Sequence, residues 1–141
     1  MNTNLHLVFP GTCNEAFAFY EKTFGTTRLL TMKYGDAPPG APVPEGAKDM
    51  IMHTALPVGS MTLMGCDRPP ERESMGTPLG GFQISVDSTD QAEVKRLFAE
   101  LSKDGSVQMP LTPTFWSPLF GMLTDRFGVG WMVSVPGPQP S

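Results

Sequence analysis

Residues 12–25 read TCNEAFAFYEKTFG, and residues 88–105 read STDQAEVKRLFAELSKDG. In the first stretch Thr12 with Glu15 has the form of a capping box, whose two side chains satisfy backbone N–H groups left open at a helix start. Cys13, Phe17, Tyr20 and Phe24 then recur with helical period, and Gly25 supplies a left-handed stop. The pattern predicts a helix over residues 13–24. In the second stretch Ser88 and Gln91 take the box positions, Val94, Leu97, Phe98 and Leu101 form the apolar face, and Asp104 with Gly105 ends it. Val94, Leu97 and Leu101 keep the spacing of Phe17, Tyr20 and Phe24, so the chain reads as a duplication.

Working outward, each helix follows a short β-type run, residues 5–9 in one half and 81–86 in the other. Three further runs come after each: 28–34, 50–58 and 61–66, then 107–109, 119–124 and 130–135. Both halves therefore read β-α-β-β-β. One helix covers only one face of a small sheet, so the other face needs cover or a ligand. The expected fold is α+β: a single domain over residues 1–141, with modules at about 1–69 and 78–136, whose curved mixed sheet carries helices outside and encloses a cleft.

Composition agrees. The 141 residues are 40% hydrophobic and 17% charged, enough apolar matter for one core. Fifteen glycines and fifteen prolines rule out a long helix bundle. A net charge of -4 offers no basic field for phosphate backbones, so nucleic acid is not an expected partner. No apolar run reaches membrane-spanning length, and the polar start, Met1 to Asn4, is unlike a signal peptide, which gives the expectation of a soluble cytoplasmic protein with no membrane partner. Cys13 and Cys66 are too few for a disulfide framework and are expected as free thiols. There is no G-x-G-x-x-G, no G-x-x-x-x-G-K and no G-x-S-x-G, hence no loop for a dinucleotide or nucleoside triphosphate and no nucleophile elbow. An open sheet of this size leaves edges that association would cover, and a homodimer is expected.

The stretch PVGSMT (57–62) has the form of a tight hairpin with Gly59 at its first central position. Val58 then pairs with Met61, Leu56 with Leu63, Ala55 with Met64 and His53 with Cys66. Leu56, Val58, Met61 and Leu63 share the face beneath a helix; His53, Ala55, Thr62, Met64 and Cys66 share the other. An imidazole beside a thiol suits a binding cleft or nucleophilic chemistry. The alternative is that His53 caps a backbone group and Cys66 packs. Phe115, Trp116 and Phe120, among Pro113 and Pro118, read either as core rings or as an aromatic pocket wall. Asp125-Arg126-Phe127-Gly128 reads as a turn capped by its aspartate. Residues 35–47, with four prolines and three glycines, form a long surface loop in which Tyr34 and Asp36 stand at the entry of a possible lid.

Six ordered segments, FPGTCNEAFAFY (9–20), YGDAPP (34–39), IMHTA (51–55), LMGCD (63–67), TFWSPLFG (114–121) and TDRFGVGWM (124–132), resemble the PhnB-like branch of the vicinal oxygen chelate superfamily, which includes glyoxalase I, bleomycin-resistance proteins and extradiol dioxygenases. The resemblance spans nearly the whole chain and implies paired β-α-β-β-β modules around a cleft, commonly in a homodimer. Metal-dependent relatives carry His or Glu on the first and last strands of each module; those positions fall near Leu5, Leu63 or Met64, Gly81 and Met132, none of which binds a hard divalent cation. His6 stands one residue out of that register and is expected to point away from the cleft.

The resulting expectation is a protein that binds a small organic molecule, without a cofactor or an inherited metal site, against His53, Ala55, Met64, Cys66, Trp116 and Phe120, with Tyr34 and Asp36 on the lid. The alternative is a glyoxalase-type lyase, isomerase or dioxygenase using His53, Cys66 or a weakly held divalent metal. The sequence leaves open which of the two it is.

Overall fold

The computed structural model describes residues 4–40, 43, 46–69 and 81–137. The chain forms two compact units, Met1–Leu79 and Gly80–Ser141. The first contains β1 (Leu5–Phe9), α1 (Cys13–Phe24), β2 (Leu30–Lys33), β3 (Ile51–Val58) and β4 (Met61–Asp67), with a short 3-10 turn at Tyr34–Asp36. The second contains β5 (Ile84–Asp87), α2 (Gln91–Leu101), β6 (Ser106–Thr112), β7 (Leu119–Thr124) and β8 (Gly130–Val135). Sheet order is β1-β4-β3-β2 in one and β5-β8-β7-β6 in the other, the same arrangement twice. In each the outer first strand lies parallel to the last, and the remaining pairs are antiparallel. The fold is thus α+β, built from two open four-stranded mixed sheets. The expected join between modules, from Pro69 to Pro78, falls almost wholly within residues 70–80, outside the described residues.

Helix α1 buries Cys13, Ala16, Phe17, Tyr20 and Thr23. Phe24, expected on that face, is only half-buried. The full period of the helix turns it aside and brings Ala16 and Thr23 inward. Beneath α1 lie Leu7, Phe9, Leu56 and Leu63, all essentially inaccessible. Each such side chain contributes about 1.5–3 kcal/mol by leaving water. Close approach depends on Gly65, where a Cβ would come within 2.6 Å of the Phe17 ring. Gly121 plays the same part under Phe98.

Both predicted capping boxes are replaced by other caps. Thr12 makes no side-chain cap bond; the Asp67 carboxylate, arriving from the end of β4, accepts the Cys13 N–H at 2.9 Å instead. At α2 the cap is Asp90, which accepts the Ala92 N–H, while Ser88 bonds Glu93 and the Asp90 N–H. A carboxylate competes well for these donors because it carries full charge toward the positive end of the helix. Strand β6 runs longer than predicted, through Pro110, with two register irregularities. It can do so because it is an edge strand, where a missing N–H costs no ladder bond. Strand β5 begins at Ile84, so Gly81 precedes it. Among the described residues no helix is long and apolar enough to cross a membrane.

Candidate functional site

The hairpin register holds: Val58 pairs with Met61, Leu56 with Leu63 and Ala55 with Met64. Gly59 has φ 57°, the positive value its turn position requires. The ladder ends at Thr54–Gly65, one step before His53 and Cys66, because the Ile51 N–H turns to the Asp67 carboxylate. Combining the three ladders of the first unit gives two rows of side chains on the face away from α1. One row crosses all four strands as His6, Met64, Ala55 and Leu30; the next contains Val8 with Cys66 and His53 with Met32.

His6 therefore lies on the same face as His53, contrary to the expectation that it points away. Leu5, Leu7 and Phe9 alternate inward under α1, which leaves His6 and Val8 on the open side without any bulge. The two imidazole rings are 6.0 Å apart between centroids and nearly parallel, at 14°. Neither makes a hydrogen bond among the described residues. Burial, and then the neighbouring His53 charge, hold His6 below the ordinary histidine pKa.

The other predicted residues of this unit fall into three groups. Met64 is half-buried, with Leu30 and Met32, which the sequence reading passed over, exposed beside it. Ala55 and Cys66 are buried as the floor of the face. Burial and then Asp67 push the Cys66 thiol up, so little thiolate forms at neutrality and Cys66 is a poor nucleophile. Tyr34 is buried, its hydroxyl donating to the Asp67 carbonyl at 3.1 Å, while Asp36 is exposed and accepts the Lys33 N–H. The expected lid includes residues 41, 42, 44 and 45, which lie outside the described residues.

In the second unit the corresponding rows are Ser85, Met132, Met122 and Met109, and Asp87, Ser134, Phe120 and Thr112. Trp116 packs edge-on against Phe120 at 5.5 Å and against Phe115 at 4.7 Å. Phe120 is nearly buried, Trp116 is half exposed, and Phe115 is 96% exposed, so the three rings lead from sheet to solvent. Ser117 fixes this turn by donating to the Leu119 and Val135 carbonyls. Asp125 is indeed a turn cap, accepting the Phe127 and Val129 N–H groups and the Trp131 indole N–H.

The comparisons with known proteins agree with this architecture. A family model described as Glyoxalase/Bleomycin resistance protein/Dioxygenase superfamily matches residues 4–133. Protein YjdN of Escherichia coli (strain K12) is 32% identical over 144 residues, covering 96% of both chains. Protein PA1353 of Pseudomonas aeruginosa is 43% identical, with a TM-score of 0.86 over 96% of this chain and 98% of that one. The PhnB protein from Bacillus cereus, at 22% identity and a TM-score of 0.75 over 96% of this chain and 99% of that one, shares the fold. The chain belongs to the glyoxalase/bleomycin resistance protein/dioxygenase superfamily.

Proposed function

We propose that this protein binds a small organic molecule on the open face of its first sheet. The observation that carries the reading is the pairing of two unengaged imidazoles with thioether and aliphatic side chains on one solvent-facing surface. Apolar surface with a few polar groups is the usual make-up of a small-molecule site. His53 and Met64 would contact the ligand over a floor of Ala55 and Cys66, with Tyr34 and Asp36 at the loop entry. Trp116 and Phe120 are proposed as ligand-binding residues of the second unit. The family model spans both units, which supports treating residues 1–141 as one functional domain.

The divalent ion of metal-dependent relatives does not fit these residues. His6 and His53 supply two donors, where a catalytic ion needs about three from the protein. Asp67 is turned to the opposite face and holds two backbone N–H groups, and the Cys66 thiol resists ionisation. Among the described residues no group of three or more His, Cys, Asp or Glu is placed to hold a metal. Binding without a resident divalent ion is accordingly the reading adopted, and the depressed nucleophilicity of Cys66 weighs against covalent catalysis. Both cysteines are free, which supports a reducing, cytoplasmic setting. We also propose a homodimer, since all four residues of edge strand β2 are exposed. Light scattering would show twice the chain mass.

Native mass spectrometry of the full chain purified without exhaustive dialysis tests the binding reading. The expected result is a small organic mass on the wild-type protein that is lost in Ala55→Phe, which fills the face. No bound mass, or equal occupancy in both proteins, would contradict it.

A further inference from the structure

Among the described residues of the first unit, the imidazoles of His6 and His53 are the only side chains of the two open-face rows that carry nitrogen or oxygen. Among the described residues no carboxylate lies in those two rows. From β1 only His6 faces it, from β3 only His53, and from β4 the Cys66 thiol. Strand β2 ends in exposed Lys33. Helix α1, with Glu15, Glu21 and Lys22, covers the opposite face, and Asp67 is directed there as the cap of α1. Asp36, in the turn after β2, has its carboxylate on the Lys33 N–H. Among the described residues of those two rows, the charge that can develop at neutral pH is therefore the positive charge of an imidazolium.

We propose that this face selects an organic acid, its apolar body resting on Met64, Met32 and Leu30 and its anionic head group held by His6 and His53 with proton uptake from solvent. The inference rests on the binding reading above and names its ligand class. Partial burial and then the neighbouring His53 charge hold His6 below the ordinary histidine pKa, which favours its neutral form while the face is empty. An anion placed between the rings reverses that balance. It stabilises the imidazolium form, and the proton enters with the ligand. A neutral ligand of the same shape gains the apolar contacts and none of this coupling. The near-parallel rings, 6.0 Å apart, leave both free to turn an N–H toward one oxyanion.

Cinnamate and its neutral isostere cinnamamide separate the two ideas. Isothermal titration of the full chain, repeated in buffers of different ionisation heat, measures affinity and proton uptake together. The expected result is cinnamate binding about tenfold more tightly near pH 6 than near pH 8, the change that one pKa unit of coupling produces. Proton uptake should rise to about half a proton per ligand midway between the free and bound pKa values, the maximum that a one-unit shift allows, while cinnamamide binding stays flat with pH. His6→Gln, at an exposed position, and His53→Gln should each remove the pH dependence of cinnamate. Equal, pH-independent binding of both probes would overturn this inference and leave the binding reading intact. Failure of both probes at millimolar concentration would also overturn the inference, and the native mass measurement would then judge the binding reading separately.

Discussion

The carboxylate of Asp67 accepts the backbone N–H of Cys13, 54 residues earlier, at 2.9 Å in a buried setting. Its second oxygen accepts the Ile51 N–H, and its carbonyl receives the Tyr34 hydroxyl. One residue thus joins the start of α1, the start of β3 and the turn after β2 to the end of β4. The adjoining Cys66 and His53 face the open side because Asp67 is committed to the other.

Asp67→Asn should weaken this junction. The amide retains one acceptor but turns an NH2 toward a donor, and losing a hydrogen bond to a charged group costs about 1.5–3 kcal/mol. Asp67→Ala, which leaves both N–H groups unanswered, should cost more. Urea unfolding followed by circular dichroism gives the difference; an Asp67→Ala midpoint equal to wild type would show that the junction is dispensable.

Gly65→Ala addresses the packing of α1. Its new methyl would meet the fully buried Phe17 ring at 2.6 Å, so ring or helix must shift. Overpacking of this kind costs about 1–3 kcal/mol. Phe17→Leu in the same chain should recover part of the loss, whereas additive losses in the double variant would mean that the two residues do not share the space.

The helices and most strands were legible because periodicity records which face is buried, and alternation across PVGSMT set the correct hairpin register. The caps were not, since an acceptor 54 residues away leaves no local trace beside Thr12. Pro110 concealed an edge strand by looking like a break. On the face away from α1, alternation across the hairpin groups Ala55 with Met64, as their pairing shows, and carries on to His53 and Cys66 beyond the end of that ladder. His6 was missed although its signal was present: Leu5, Leu7 and Phe9 form an inward alternation that leaves His6 outward. Leu30 and Met32 required the pairing of β2 with β3, which no turn residue fixes.

Acid should reveal His6. Its folded pKa lies below the unfolded value of 6.5, so its contribution to stability is complete above that value. As pH falls below it, the unfolded chain takes the proton first and stability is lost through the folded pKa. Between about pH 7.5 and pH 5, the melting temperature of His6→Gln should therefore fall less steeply than that of wild type. Identical slopes would mean that His6 titrates as it does in the unfolded chain.

Elemental analysis of protein purified without chelator should find no stoichiometric zinc, nickel, iron or manganese, and added metal should leave the melting temperature unchanged. Two imidazoles without a third donor do not retain such ions tightly. One metal per chain, lost on His53→Ala, would overturn the metal-independent reading.

The most direct test of the central claim is a methyl NMR titration of protein carrying labelled methionine methyls, with cinnamate as the probe. Met64 and Met32 lie on the open face of the first sheet, whereas Met61 faces the helix side and Met50 packs near Gly11. Binding as described shifts the Met64 and Met32 signals saturably, leaves Met61 and Met50 in place, and loses the response in Ala55→Phe. Shifts confined to Met61 and Met50, or a response that Ala55→Phe leaves intact, would contradict a ligand site on this face.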